Sequence, residues 1–188
     1  MKFIDTTLHT AKLIELEPRG DERGWFARSY CQRAFEGAGL PGNWVQQNVS
    51  RTAQQGTVRG MHFQRPPHAE DKLVRCLQGA ILDVIIDLRP HSPTYLRHEG
   101  FELTEDNMRQ LFVPKGFAHG FQTLTPDCVV TYLVSEFYTP EAEGGVRHDD
   151  PLFGIRWPLP VSQTSDKDAS WPLLDPSAPI ALEVAEPA

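Results

Sequence analysis

Cysteine is scarce and scattered in this 188-residue chain: Cys31, Cys76 and Cys128 form an odd set with no Cys-x-x-Cys pair. That pattern argues against a disulfide framework and against a structural zinc, and a reducing cytoplasm is the expected setting. Positive charge is also in short supply. Eighteen lysines and arginines stand against 25 aspartates and glutamates, a formal net charge of -7. A long nucleic-acid footprint needs a basic excess, so no nucleic-acid partner is expected. A small anion held by a few local arginines remains compatible. No hydrophobic run approaches transmembrane length, and the N-terminal stretch carries Asp5 and no apolar segment of signal-peptide length. No membrane partner is expected either.

What the chain has in quantity is turn chemistry. Sixteen prolines and 14 glycines are spread through a composition of 40% hydrophobic and 23% charged residues, ordinary for a globular protein. This length predicts one domain over residues 1–188. Leu13, Ile14 and Leu16, among polar neighbours, read as a strand. Pro18 to Gly24 reads as a tight charged turn and Trp25 to Tyr30 as a further strand. Gln32 to Ala38 suits a short helix closed by Gly39 and Pro41. Trp44 to Ser50 is strand-like, and a polar loop to Gly56 leads into the strand around His62. Lys72 to Leu77 and Ile81 to Leu88, joined by Gln78-Gly79-Ala80, predict a hairpin. Phe101 to Leu103, Gln110 to Val113, Phe121 to Leu124 and Val129 to Ser135 continue the series. Short strands at short intervals predict an antiparallel sandwich or barrel. From Pro151 onward prolines are dense. A wrapped, mostly irregular segment is expected there, with one short helix near Lys167 and a disordered stretch over the last ten residues.

Two stretches carry chemistry. Arg59-Gly60-Met61-His62-Phe63-Gln64 puts a histidine inside a strand, where Arg59 and His62 are costly to bury without partners. A lone strand histidine is more often a satisfied core or rim residue than a catalyst. Pro114-Lys115-Gly116-Phe117-Ala118-His119-Gly120 has the proline-x-glycine-x-x-histidine spacing of small β-barrels of the cupin type. A metal-binding cupin adds a His-x-His on an earlier strand and a glutamate. Here that strand reads His62-Phe63-Gln64, and a neutral amide is a poor transition-metal ligand. His68 and Glu70 follow two prolines and fall off the strand face, so no metal is expected. The alternative uses the same residues as acids, bases and electrostatic groups. Arg59, Lys72, Arg75 and His119 supply cations, and Tyr132 and Tyr138 supply phenols. Each has a structural reading beside the catalytic one. Lys72 and Arg75 could guard a strand edge, and Tyr132 could simply pack between Val130 and Leu133.

An ordered set of blocks narrows this. Arg23-Gly24-x-Phe26, Gln47-Asn48-x-Ser50, Gly56-x-x-Arg59-Gly60-x-His62-x-Gln64 and Lys72-Leu73-Val74-Arg75 come first. Asp83-Val84-x-x-Asp87-Leu88-Arg89-x-x-Ser92-Pro93-Thr94 and Pro114-x-Gly116-Phe117-Ala118-His119-Gly120-Phe121 follow, then Tyr132, Tyr138, Glu143, Asp150-Pro151, Ile155-x-Trp157-Pro158 and Lys167-Asp168. Over roughly residues 1–175 the chain resembles the dTDP-4-dehydrorhamnose 3,5-epimerase family of metal-independent cupins.

The resemblance implies a mainly β protein, a cupin or jelly-roll β-sandwich barrel with a few short helices. It implies a nucleotide-linked 4-keto-6-deoxyhexose as substrate, with no cofactor. It also implies a homodimer in which an N-terminal strand crosses to the partner and carries ligand contacts with it. Carbons 3 and 5 of such a sugar both flank the ketone, so inversion needs a base, an acid on the opposite face, and a group to hold the enolate. By similarity His62 is the base, Lys72 steadies the enolate oxygen, Tyr132 returns the proton, and Asp168 fixes the imidazole tautomer. Arg23, Arg59 and His119 correspond to diphosphate-binding positions, with Gln47 and Asn48 nearby and Phe26 stacked on the base. Tyr138, Glu143 and Lys167 correspond to further substrate-binding positions. Arg28 departs from the family, where a glutamate touches the nucleoside. A base-edge hydrogen bond would be donated where the family accepts one, which leaves the nucleotide preference open. Two other readings stay beside this one. One is single inversion at C3 or C5 of a related nucleotide sugar. The other is a non-catalytic sugar-binding or metal-dependent cupin, the latter disfavoured by Gln64.

Overall fold

The computed structural model describes residues 1–184. The chain begins with β1 (Lys2–Asp5) and β2 (Lys12–Glu15), then a short ribbon of β3 (Arg19–Asp21) and β4 (Gly24–Phe26). Helix α1 (Gln32–Gly37) leads to β5 (Gln46–Thr52), β6 (Val58–Gln64), β7 (Lys72–Gln78) and β8 (Ala80–Asp87). After these come β9 (His98–Thr104), β10 (Gln110–Val113), β11 (Phe117–Thr123), β12 (Cys128–Val134), β13 (Glu143–Gly145) and helix α2 (Asp166–Ser170). Two antiparallel sheets result. One has the order β1-β2-β10-β7-β12-β5 and the other β13-β6-β11-β8-β9, while β3 and β4 pair only with each other.

Alternation along the strands sets three apolar layers. Val74, Ile81, Ile85, Leu103, Leu111 and Val130 meet between the two sheets. On the far side of the five-stranded sheet, Met61, Val84, Ile86 and Leu88 are covered by Phe153, Leu182 and Trp157 of the proline-rich C-terminal segment. On the far side of the six-stranded sheet, Ile14, Leu73 and Phe112 are covered by Phe35 of α1. Phe35 is fully buried. Complete burial of one such side chain contributes about 1.5–3 kcal/mol, which is how a six-residue helix with no side-chain cap at its N-terminus is held in place.

Several expectations need correction. Lys72 to Leu88 is not a hairpin, because β7 pairs with β10 and β12 while β8 pairs with β11 and β9 in the other sheet. Gln78-Gly79-Ala80 is a corner between layers. Gly79 has φ of 76°, and a Cβ there would lie 2.4 Å from Thr125 Oγ1. Local turn chemistry cannot distinguish a hairpin from such a corner. The charged turn at Pro18 to Gly24 contains β3, and the strand expected over Trp25 to Tyr30 ends at Phe26. β1 had no strong sequence signal; it is an edge strand completed by pairing with β2. The short helix near Lys167 is present as α2. Of the last ten residues, Ile180 and Leu182 pack on the outer layer, and 185–188 lie outside the described residues.

The motif at the end of β8 is structural. The fully buried Asp87 carboxylate accepts hydrogen bonds from Arg89 Nε and Nη2 at 2.9 and 2.8 Å, Ser92 Oγ at 2.5 Å and Thr94 Oγ1 at 2.7 Å. Arg89 in turn donates to His9 O and Thr10 Oγ1, clamping the N-terminal loop. Burial pushes the Asp87 pKa up, but these hydrogen bonds outweigh it and hold the carboxyl below its ordinary range. A depressed folded pKa gives stability that is present above the unfolded value, about 3.9, and is lost as pH falls through the folded value. Asp87→Asn should therefore cost about 3–5 kcal/mol at pH 7, because Arg89 is left buried and unpaired. Urea unfolding measures this. The gap from the unsubstituted protein should narrow below about pH 4, and a constant gap would mean that the ion pair is not its source.

Candidate active site

The site is built where β6 meets β11. Opposite His119 and Phe121, two apart on β11, stand His62 and Arg59, three apart on β6. This bulge resets the strand's alternation, so Arg59 and His62 both face one cleft while Met61 and Phe63 enter the outer apolar layer. Gly60 makes the bulge possible. Its φ is 123°, and a Cβ would lie 2.5 Å from Gly120 Cα.

The cleft runs between the two sheets. One part, of about 500 Å³, is lined by Thr52, Arg59, His119, Lys167 and Asp168. A second part, of about 250 Å³, is lined by Gln46, Asn48, Glu70, Tyr138 and Glu143. His62, Lys72 and Tyr132 line both and mark the junction. His62 comes from the five-stranded sheet and Tyr132 from the six-stranded one, so they stand on opposite walls. A larger hollow, of about 860 Å³, lies elsewhere beside Lys12, Arg89 and Lys115. Lys12 and Arg89 are engaged there by Asp5 and Asp87, and none of the three junction residues reaches it.

His62 Nε2 lies 2.6 Å from Asp168 Oδ1, and Gly60 N donates to Asp168 Oδ2 at 3.2 Å. Ser165 caps α2 by accepting from Asp168 N at 3.0 Å, which fixes the start of that helix. Burial raises the Asp168 pKa, but the hydrogen bond and charge of His62, with Gly60 and Ser165, prevail and lower it. Asp168 is thus a carboxylate that accepts from Nε2–H and leaves the lone pair on Nδ1. Tyr132 is the opposite case. Burial pushes its pKa up and the nearby Glu70 charge adds to this, against Arg59, so the phenol keeps its proton.

Nearly every basic side chain in the cleft has its own acid. Lys72 pairs with Glu70 at 3.2 Å, His119 with the buried Asp83 at 3.0 Å, and Lys167 with Glu143 at 2.6 Å. Tyr138 also donates to Glu143, at 2.8 Å. Burial raises the Glu143 pKa, but Lys167 and Tyr138 outweigh it and lower it. Arg59 is the exception among the described residues. It donates to Thr52 Oγ1 at 2.8 Å and Arg51 O at 3.5 Å and touches no carboxylate. Its charge is the one in the cleft with no acidic partner among the described residues.

Of the residues singled out from the sequence, the structure gathers His62, Lys72, Tyr132, Asp168, Arg59, His119, Asn48, Tyr138, Glu143 and Lys167 around this cleft. Gln47 is a correction. β5 alternates, so Gln47 points to the exposed outer face and donates to Thr131 Oγ1. Its neighbour Gln46 is the one that enters the cleft and donates to Asn48 Oδ1. Strand parity, counted from Asn48, was the available signal. Glu70, expected off the strand face, also lines the cleft. Gln64 lines the smaller part of the cleft, but its amide is engaged by the protein. Its Nε2 lies within 3.2 Å of His68 O, Glu70 Oε2 and Phe137 O, and its Oε1 accepts from Thr139 N. Arg23, Phe26 and Arg28 are not brought to this cleft within one chain. Arg23 is exposed and paired with Asp21 at 2.5 Å, and Phe26 and Arg28 line a separate surface hollow with Glu17 and Arg19.

Comparison with known proteins shows the family. The profile of the dTDP-4-dehydrorhamnose 3,5-epimerase family matches residues 5–176. The enzyme of that name from Methanothermobacter thermautotrophicus is 43% identical over 173 residues, covering 90% of this chain and 92% of its own. The crystal structure of the Bacillus anthracis enzyme, with TDP and PPi bound, is 48% identical. It superimposes with a TM-score of 0.89 over 92% of this chain and 99% of the other. The Legionella pneumophila enzyme in complex with dTDP-4-keto-L-rhamnose is 37% identical, with a TM-score of 0.88 over 97% of this chain and 99% of that one. A mainly β, cupin-type chain with this cleft thus belongs to the dTDP-4-dehydrorhamnose 3,5-epimerase family of isomerases.

Proposed function

We propose that this chain inverts C3 and C5 of a dTDP-linked 4-keto-6-deoxyhexose by removing a proton beside the ketone and returning one from the other face. The observation that carries this reading is the placement of His62 and Tyr132 on opposite walls with Lys72 at the junction. Inversion needs a base and an acid on opposite faces of one carbon, and the two sheets supply one each. His62 Nδ1 takes the proton, and Asp168 holds the ring and balances the imidazolium. Lys72 steadies the charge that grows on the ketone oxygen, and Tyr132 protonates the enolate from above. Arg59 anchors the diphosphate, since its planar fork suits phosphate oxygens and its charge is uncommitted. His119 and Lys167 line the same end of the cleft and complete the anion's surroundings.

The working unit in this reading is a homodimer. All six residues of β3 and β4 are exposed, Trp25 and Phe26 by 57% and 72%. A two-stranded ribbon with bare aromatics is marginal alone. It gains burial by crossing to a partner and laying Arg23, Phe26 and Arg28 at the nucleotide end of the partner's cleft. In a symmetric dimer both clefts are completed in this way.

Incubation with dTDP-4-keto-6-deoxyglucose in deuterated water tests the reaction. Deuterium is expected at both C3 and C5; incorporation at one carbon would favour a mono-epimerase, and none with folded protein would rule this substrate out. His62→Ala should cut exchange by about 10²–10⁴-fold with the fold intact. Tyr132→Phe should separate the two half-reactions. Exchange into recovered substrate should persist while inversion falls by about 10²-fold, and unimpaired inversion would remove Tyr132 from the acid role. Chains carrying His62→Ala, mixed with chains carrying Phe26→Ala, should regain about a quarter of normal activity, because half the dimers are mixed and each has one intact site. No recovery above the separate variants would exclude the crossing ribbon.

A further inference from the structure

Glu70 is a carboxylate in the reaction cleft to which the mechanism above gives no task. Its side chain is 12% exposed, and that of Lys72 is 8% exposed. One carboxylate oxygen, Oε1, lies 3.2 Å from Lys72 Nζ. The other, Oε2, accepts from Gln64 Nε2 at 3.2 Å. Gln64 is itself immobilised: its two N–H groups are shared among Glu70 Oε2, His68 O and Phe137 O, and its Oε1 accepts from Thr139 N. A chain of contacts therefore runs from the turn after β12, through Gln64 and Glu70, to the ammonium at the junction of the cleft.

We propose that Glu70 is a positioning residue that holds the Lys72 ammonium at the point where the ketone oxygen gains charge. This rests on the proposed epimerase reading. The side-chain chemistry is specific. Two donors, an ammonium and an amide N–H, approach the two oxygens of one side chain. A carboxylate accepts on both atoms, whereas a glutamine amide would turn its NH₂ against one of the donors. A lysine on a four-carbon stem has many rotamers, and Glu70 selects one of them. Tyr132 shares the arrangement, since the Glu70 charge adds to burial in keeping the phenol protonated. The arrangement also has a cost that fixes its sign. A carboxylate beside Lys72 weakens the net field at the enolate, so Glu70 aids catalysis only through placement. Placement is the larger effect, because a shift of about 1 Å in a reacting group can lower a rate by about 10²-fold.

The test is Glu70→Gln, alone and with Lys72→Met, using crystal structures and steady-state exchange in deuterated water. Lys72 Nζ should leave its fixed position in the Glu70→Gln crystal, and kcat should fall about tenfold to a hundredfold with KM within about threefold. In the Lys72→Met background, Glu70→Gln should have no further effect, the mark of a residue acting through its neighbour. The inference is overturned by an unmoved Nζ, by a rise in kcat, or by an equal loss in the Lys72→Met background. If the glutamine variant does not fold, Glu70→Asp, which keeps the charge and shortens the reach, is expected to give the same displacement and loss. Absence of exchange in the unsubstituted protein would defeat the proposed reaction instead, and the crystallographic arm would still decide whether Glu70 places Lys72.

Discussion

The contact on which the site depends is the hydrogen bond between His62 and Asp168, residues 106 positions apart. One partner sits on an inner strand of the five-stranded sheet. The other sits on a five-residue helix at the end of a long irregular segment. Asp168 is buried, and a buried carboxylate without partners is costly. Three contacts make its position favourable: the imidazole, the Gly60 amide and its own capped helix start. The C-terminal wrap is therefore part of the site as well as a cover for the outer apolar layer. Whatever loosens Phe153 or Leu182 from that layer also loosens the carboxylate that orients the proposed base.

A second constraint is charge. The chain is acidic overall, and the cleft follows the same economy: histidine with aspartate, lysine with glutamate. Such pairs order side chains more than they attract ligands. In the proposed reading, specificity for an anion then falls to Arg59, the cleft cation with no acid among the described residues, and to its neutral supports, Thr52 Oγ1 and Arg51 O. The bulge at Gly60 is what turns that guanidinium inward beside His62.

Much of this was legible in the sequence because it rests on local chemistry. Strand alternation around Ile81 to Leu88, the helix closed by Gly39, and the ordered blocks carrying His62, His119, Tyr132 and Asp168 can all be read without coordinates. What was not legible depends on relations between distant segments. Gln78-Gly79-Ala80 has the composition of a hairpin turn, and only the pairing of β7 and β8 with different sheets makes it a corner. Gln46 and Gln47 are the same residue type side by side, and strand parity alone decides which one enters the cleft. Glu70 follows two prolines, and its return to the cleft depends on Gln64 holding the intervening turn. Gln64 was read by what it could not ligate, whereas its role is to fix backbone from two segments.

The proposed base and acid belong to different sheets, and no strand links them directly. Their separation is therefore the thickness of the sandwich, set by the apolar side chains packed between the layers. Val74 on β7 and Val130 on β12 lie in that filling, two residues along their strands from Lys72 and Tyr132 respectively. Interiors are close-packed and respond to a single methylene. The gap across which a proton is taken and returned is thus tuned by residues that never meet a ligand, and the hydrophobic core acts as the spacer of the reaction.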